Sequence, residues 1–187
     1  MPQVRSALNR EWPNTDSGVM TNDDSASASA SATRRDSKVP RIPTNAETEA
    51  NPDILAAFNA AVVEEFRSNQ GRVGGPFADS NVVLVTMTGA TSGQRRQTPL
   101  EYFMVDGRML IVGTRGGAPK NPAWVHNLRV NPAARVEIGT ESYDVVVREI
   151  HDLERDGLYA RIVEICPRVG TYPKPGRAIP VFELQRI

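Results

Sequence analysis

The stretch LIVGTRGGAPKNPAWVHNLRVN, residues 110–131, shows how this chain is organised. Its first three residues predict the end of a buried strand, its glycines predict a turn, and Asn121 before Pro122 predicts a helix with Asn121 as the N-cap. Backbone N–H groups and the positive end of the helix dipole would meet there beside Arg115 and Lys120, which suits a phosphate or a carboxylate. The alternative is an ordinary strand-to-helix turn with two solvated cations.

The composition limits the class of protein. The chain has 187 residues, of which 40% are apolar, and its 22 positive and 22 negative residues give no electrostatic support for binding nucleic acid. One cysteine cannot form an internal disulfide, and two histidines make a zinc site unexpected. No apolar run approaches the length of about 18 residues that a membrane span needs. We expect a cytoplasmic protein without a metal, a nucleic-acid partner or an integral membrane segment.

Residues 1–50 are predicted to form a disordered tail, because the low-complexity tract SASASASAT at 25–33 has no large side chain to bury. Basic residues at 34–41 are expected to form a solvated linker, and the alternative is a contact with an anion or with the inner face of the membrane. One domain is predicted from residue 51 to residue 187. It begins with a helix that Asn51 caps and that buries one stripe of residues, namely Ile54, Phe58, Val62 and Phe66.

Six short strands are predicted after this helix. Apolar and β-branched runs place them at 82–87, 97–105, 108–113, 135–138, 142–150 and 179–184. Asp106-Gly107 and Gly139-Thr140-Glu141 predict hairpin turns, and Asp152 is expected to cap a helix that runs to Cys166. Strands joined mostly as hairpins predict an antiparallel barrel in an α+β arrangement, because a doubly wound sheet needs a helix after nearly every strand.

The connection between the first two strands, GATSGQRRQTP at 89–99, is a second candidate for binding an anion. It contains several hydroxyl groups, two glycines, and the planar guanidinium groups of Arg95 and Arg96. A polar hairpin tip without a function is the alternative. Two loops suited to anions, each following a strand of the same predicted sheet, favour one shared ligand with an anionic tail.

Four motifs together resemble the deazaflavin-dependent nitroreductase family: NQGRVGGPF at 69–77, TMTGATSGQRRQTPLEY at 86–102, GTRGGAPKNPAWVHNLRVNP at 113–132 and GRAIPVFEL at 176–184. The resemblance covers about residues 51–187. It implies a split β-barrel, similar to FMN-binding split barrels, that binds coenzyme F-420. It also implies that the reduced coenzyme donates a hydride to a quinone, a nitroaromatic compound or an enone. The oligomeric state is left open between a monomer and a homodimer.

The resemblance also implies the residues that bind the coenzyme. They lie in the two loops and in the helix after the second one: Ser92, Gly93, Arg96, Thr98, Pro99, Thr114, Arg115, Gly116, Gly117, Lys120, Asn121, Pro122, Trp124 and Asn127. Thr91 stands where the family usually has a lysine that binds the coenzyme tail, and Arg95 is a candidate to bind the tail in place of that lysine.

The candidate catalytic residues are Tyr172 and Thr114. Some family members line the substrate side with several tyrosines, and Tyr172 is the one left in that segment here, as a hydroxyl donor to the acceptor or simply as a loop aromatic. Thr114 either bonds the coenzyme ring or only ends a strand. Trp124 either packs on the ring or fills the core. An FMN-dependent oxidoreductase on the same barrel and a non-catalytic protein that holds the deazaflavin or a lipid are the two alternative functions.

Overall fold

The computed structural model describes residue 12, residues 37–172 and residues 176–187, so most of the predicted disordered tail lies outside the described residues. Six antiparallel strands form a closed barrel in the order β1-β2-β3-β6-β5-β4. This confirms the predicted barrel, and the strand bounds differ from the predicted ones by at most two residues. The strands are β1 (Val82–Thr88), β2 (Arg95–Val105), β3 (Arg108–Val112), β4 (Ala133–Ile138), β5 (Glu141–Ile150) and β6 (Val181–Arg186).

In the part of the chain that the structure describes, four helices and three short 3-10 turns surround the barrel. The helices are α1 (Asn45–Ala50), α2 (Pro52–Ser68), α3 (Ala123–Val130) and α4 (Asp152–Ile165). The 3-10 turns are Gly75–Phe77, Arg115–Gly117 and Pro167–Thr171. Within the described ranges, no helix has both the length and the apolar character needed to cross a membrane.

Two predicted helix caps differ from the structure. The residue before α3 is Pro122, which has no side chain that could cap a helix, and the Asn121 side chain is engaged elsewhere. The residue before α4 is His151 rather than Asp152, whose φ of +52° is left-handed. By contrast, Asn51 caps α2 as predicted, since its side chain accepts a hydrogen bond from the Asp53 N–H at 3.0 Å.

Strand alternation sorts the apolar side chains into three clusters. One fills the barrel and includes residues of every strand and of α3. A second lies between the barrel and α4. The third lies under α2 and contains Phe58, Val62 and Phe66 of the predicted stripe. The fourth member of that stripe, Ile54 in the first turn of α2, is 40% exposed and lies outside this cluster.

The segment before α2 is ordered from residue 37 onward. Glu65 on α2 accepts hydrogen bonds from the Ser37 hydroxyl at 2.9 Å and from the Lys38 N–H at 3.1 Å. Val39 is buried in the cluster under α2. The predicted tail therefore does not extend through residues 37–50, and we propose that the domain begins near Ser37.

Trp12, which also lies in the predicted tail, contacts the barrel. Its ring meets that of Tyr143 edge-on, with 5.7 Å between the centroids. The Trp12 side chain packs against the cluster that fills the barrel. The Arg186 guanidinium also lies over the Tyr143 ring, 3.9 Å from its centroid.

The topology brings two loops to one end of the barrel. Strands β1 and β3 are each antiparallel to β2, so both run in the same direction and the loops after them leave the same end. Helix α3 lies at this end and inserts Val125 and Leu128 into the barrel cluster. The two loops with the predicted anion-binding residues are therefore neighbours.

Candidate functional site

The first loop, residues 89–94, joins β1 to β2 in a tight turn. The Gly89 N–H donates to the Gln94 carbonyl at 2.8 Å, and the Gly93 N–H donates to the Gly89 carbonyl at 2.9 Å. The Ser92 hydroxyl accepts a hydrogen bond from the Gln94 N–H at 3.3 Å. Thr91, Ser92 and Gly93 are exposed, so this loop presents the polar surface that its sequence predicts.

Two asparagines, one in α3 and one just after it, bond the first loop and the end of β1. The Asn127 Oδ1 accepts a hydrogen bond from the Ala90 N–H at 3.0 Å. The Asn131 Nδ2 donates to the Thr88 carbonyl at 3.4 Å. Asn127 was expected to bind the coenzyme, and its contact with Ala90 shows that it also positions the first loop.

The side chains of Arg95 and Arg96 project from opposite faces of the hairpin. Arg96 pairs with Met87, which points into the barrel, so Arg96 lies on the inner face at the open end. Arg95 shares the outer face with Gln97, whose side chain donates to Glu137 at 2.8 Å. The two arginines therefore do not approach one ligand from the same side, and this geometry does not support Arg95 as the replacement for the missing lysine.

The second loop, residues 113–122, is held by Arg177 just before β6. The guanidinium donates to the carbonyls of Gly113 at 2.6 Å, Ala118 at 2.6 Å and Thr114 at 3.0 Å. It also donates to the Asn121 Oδ1 at 3.0 Å. One side chain thus fixes both ends of the second loop.

Sequence reasoning did not assign a role to Arg177. The residue lies in the GRAIPVFEL motif, but it is 56 to 64 positions away from its partners in the chain. No local pattern marks such a contact. A weak signal was the presence of an arginine four residues before a buried strand with no acidic residue beside it in the sequence.

The backbone of the second loop has the geometry of an anion-binding concavity. Thr114 is right-handed, with φ −67° and ψ −40°, and it is followed by Arg115 with φ +47° and Gly116 with φ +55°. A right-handed residue followed by a left-handed one turns successive N–H groups toward one point, where they bind an anion. Gly116 is exposed, which leaves this point accessible.

Close packing fixes where the second loop starts. A Cβ atom on Gly113 would lie 2.8 Å from the Cγ of Pro180 and 2.9 Å from a methyl group of Val125. Both distances are shorter than van der Waals contact, so only glycine fits between the C-terminal strand and α3. The position of the concavity relative to the barrel is therefore set by the core.

The second loop carries positive charge that is not fully compensated. Among the described residues, no carboxylate lies within 4.0 Å of the Arg177 guanidinium, and Arg115 has Glu49 at 3.8 Å. Burial lowers the pKa of Arg177, and the nearby positive charge of Arg115 lowers it further. Two guanidinium groups close enough to repel one another favour the binding of an anion between or beside them.

The other predicted contacts differ in their accessibility. Lys120 is exposed, and Thr98 is half-buried opposite Val85. Pro99 is buried in β2 opposite Leu84, under α2. Trp124 is 6% exposed and packs against Phe182 with 5.5 Å between the ring centroids. The Trp124 indole therefore packs in the core, which is one of its two predicted roles, and stacking on the coenzyme ring stays a prediction.

Tyr172 is placed by an ion pair on the outer face of β2. Its hydroxyl accepts a hydrogen bond from Arg168 at 3.1 Å. Arg168 in turn donates to both carboxylate oxygens of Glu101 at 2.9 Å. In the sequence, Tyr172 lies five positions before Arg177, the residue that holds the second loop. Its role as a hydroxyl donor to the acceptor stays a prediction, as does the bond from Thr114 to the ring.

Comparison with known proteins identifies relatives of this chain. A family model described as F420H(2)-dependent quinone reductase matches residues 59–185. An F420H(2)-dependent quinone reductase of Mycobacterium tuberculosis is 34% identical over 129 residues, which are 65% of this chain and 85% of that relative. A solved structure described as an F420-H2 dependent reductase is 37% identical, with a TM-score of 0.50, and the match covers 55% of this chain and 92% of that one. A second, described as a domain-swapped dimer, is 36% identical with the same TM-score and covers 55% and 78%.

Proposed function

This chain belongs to the F420H(2)-dependent quinone reductase family, and we propose that it oxidises reduced coenzyme F-420 and passes the hydride to a quinone. The family confirms the deazaflavin resemblance seen in the motifs and favours coenzyme F-420 over FMN. Nitroaromatic compounds and enones remain further candidate acceptors. The observation that carries the proposal is the convergence of two loops on one barrel end, one of them clamped by an arginine that has no carboxylate partner among the described residues.

The residues at this end fit a cofactor with an anionic tail. The concavity at Thr114, Arg115 and Gly116 offers backbone N–H groups, and the guanidinium groups of Arg115 and Arg177 supply charge. Arg96 at the start of β2 and Lys120 on the second loop are exposed cations within the same region. We propose that these residues bind the tail, with Ser92, Gly93 and Thr98 completing the site from the side of the hairpin.

In this proposal the chain contributes binding, orientation and exclusion of water. Reduced deazaflavin supplies the hydride when it is bound, so the protein needs no conventional catalytic acid. The core residues Trp124 and Val125 close the barrel end behind the site and keep water out of it. Thr114 is proposed to donate a hydrogen bond to the ring. Tyr172 stays a predicted donor to the acceptor oxygen, where negative charge develops during hydride transfer. Its hydroxyl contacts Arg168 beside Glu101, which pairs with Val82 at the end of β1 away from the two loops.

The decisive experiment is a pair of titrations with oxidised coenzyme F-420 and with FMN, monitored by cofactor fluorescence. We expect saturable binding of coenzyme F-420 and much weaker binding of FMN. Hydride transfer is then measured by the oxidation of reduced coenzyme F-420 with a soluble quinone. Tight binding without turnover on any of the three acceptor classes would favour the non-catalytic carrier, and preferential binding of FMN would overturn the proposal.

Two properties of the assembled protein are also proposals. A relative described as a domain-swapped dimer supports a test for a homodimer against a monomer. Sedimentation velocity over a range of protein concentrations distinguishes the two. We further propose a cytoplasmic location with a peripheral membrane contact, since many quinones are lipids. Vesicle co-sedimentation with anionic and with neutral lipids tests that contact.

A further inference from the structure

Helix α1 lies against the second loop and belongs to a part of the chain that the family model does not match. That model begins at residue 59, whereas α1 covers Asn45–Ala50. An Oε1 atom of Glu49 lies 3.8 Å from a terminal nitrogen of Arg115. The nearest side-chain atom to a Cβ built on Gly116 is the Asn45 Nδ2, at 3.7 Å. Two residues of α1 thus border the concavity.

The attachment of α1 to the rest of the protein is weak. None of its residues is buried. The helix has a capping box in which the Thr44 side chain accepts from the Glu47 N–H at 3.2 Å and the Glu47 carboxylate accepts from the Thr44 N–H at 2.8 Å. A helix of six residues is too short to be stable by itself in water, so contacts such as that of Glu49 decide whether it stays in place.

Glu49 has the same chemistry as the ligand that the concavity suits. Its carboxylate is near the guanidinium of Arg115, a residue whose backbone forms part of the concavity. The side chain of Glu49 is 64% exposed and that of Arg115 is 29% exposed, so solvent screens the pair and it is easily broken. An incoming carboxylate or phosphate with more hydrogen bonds would replace it.

We propose that Glu49 is an internal competitor that neutralises Arg115 in the free protein and is displaced, together with α1, when an anionic ligand binds. The inference rests on the proposed function, because it identifies the second loop as the site of the anionic tail. The new element is that Glu49, which lies outside residues 59–185 matched by the family model, lowers the affinity of the second loop for anions. Because the contact between Glu49 and Arg115 is weak, α1 lowers the affinity for the anionic ligand but does not prevent its binding.

The first test compares the parent with Glu49→Gln and with Glu64→Gln. Glu64 is an acid on α2, so its change removes the same charge without touching Arg115. Oxidised coenzyme F-420 and inorganic pyrophosphate are titrated in parallel. We expect Glu49→Gln to lower Kd by about two- to fivefold for both anions, the range for loss of an exposed ion pair, and Glu64→Gln to leave both unchanged. Equal Kd values for the parent and Glu49→Gln, or weaker binding by that variant, would overturn the inference.

The second test follows hydrogen exchange in α1 and is independent of turnover. The Thr48 N–H donates to the Thr44 carbonyl at 3.0 Å and the Asn51 N–H donates to the Glu47 carbonyl at 2.9 Å. We expect both amides to exchange faster when either anion is added, which is opposite to the usual effect of a ligand. If coenzyme F-420 fails to bind but pyrophosphate accelerates exchange, the proposed function fails and the inference stands. Unchanged or slower exchange with both anions overturns the inference by itself.

Discussion

The side chain of Asn127 holds the backbone of Ala90, with 3.0 Å between the Asn127 Oδ1 and the Ala90 nitrogen. This bond joins α3, which follows the second loop, to the first loop. Asn127→Ala removes the acceptor and leaves a half-buried N–H unpaired, which costs about 1–3 kcal/mol. We expect Kd for coenzyme F-420 to rise about 5- to 20-fold. Asn131→Ala, which removes a longer bond of 3.4 Å to the Thr88 carbonyl, is the matched control and should change Kd by less than about twofold.

The two hairpin arginines should contribute very differently to binding. Arg96 lies on the inner face at the site, and Arg95 lies on the outer face. We expect Arg96→Ala to weaken coenzyme binding by about 1.5–3 kcal/mol, or about 10- to 150-fold in Kd, as for the loss of a charge-assisted hydrogen bond. Arg95→Ala removes the same charge and should cost far less. Fluorescence titration of both variants at one salt concentration decides this, and equal losses would show that only net charge matters.

Removal of the N-terminal segment should destabilise the protein in two steps. Deletion of residues 1–36 removes the packing of Trp12 on Tyr143, and we expect a small fall in Tm. Deletion through Thr44 also removes buried Val39 and the hydrogen bonds to Glu65, and we expect Tm to fall by about 5–15 °C. Calorimetry measures both.

A disordered tail through residue 50, as the sequence predicted, would give no loss of stability for the longer deletion, because such a tail buries no apolar surface. If both truncated proteins melt at the temperature of the parent, the contacts of residues 37–44 contribute nothing to stability. The shorter deletion is the control for nonspecific effects of truncation, since it leaves Val39 and its neighbours intact.

Tyr172→Phe tests the donor on the substrate side. A hydroxyl that bonds the acceptor oxygen more strongly in the transition state accelerates the reaction, so we expect turnover with the best acceptor to fall about 10- to 100-fold. The variant also removes the hydrogen bond between this hydroxyl and Arg168. Arg168→Lys is therefore the control, because it disturbs that hydrogen bond and keeps the phenol. A Tyr172→Phe enzyme with parental kcat and kcat/KM would identify Tyr172 as a loop aromatic.

Tyr159 should make stability depend on pH in the alkaline range. Its hydroxyl donates to the Val169 carbonyl at 2.8 Å, and burial raises its pKa above the ordinary value of 10.0. The neutral form is therefore favoured in the folded protein. Its contribution is present below about pH 10 and is lost as pH rises through the raised pKa. Between about pH 8 and 11.5 the parent should lose more Tm than Tyr159→Phe, and parallel curves would contradict this.

Local patterns predicted the fold well, because strand periodicity and turn residues lie within a few positions of one another. The cap at Asn51 was found for the same reason. Helix α1 was not predicted, because it has no apolar stripe and the helix predictions relied on apolar periodicity. Thr44-Asn45-Ala46-Glu47 nevertheless has the spacing of a capping box. The capping box was the available signal.

The candidate site was predicted only in part. Residue types indicated the anion chemistry of both loops, and the motifs gave the family. The clamp by Arg177 and the bond from Ala90 to Asn127 join residues far apart in the chain, and no spacing rule shows them. The same limit applies to Trp124, whose burial depends on how α3 enters the barrel.

Arg177 also determines when the site forms during folding. It lies four residues before β6, the last strand of the barrel, which pairs with β3 and β5 and closes the barrel. Contacts this distant in sequence form late, because a long stretch of chain must first be brought together. A nascent chain that ends before Arg177 would therefore contain both loops, but the second loop would lack the hydrogen bonds from Arg177 that hold its conformation. Ligand binding and barrel closure should appear in the same kinetic phase of refolding, and no partly folded form should hold the coenzyme.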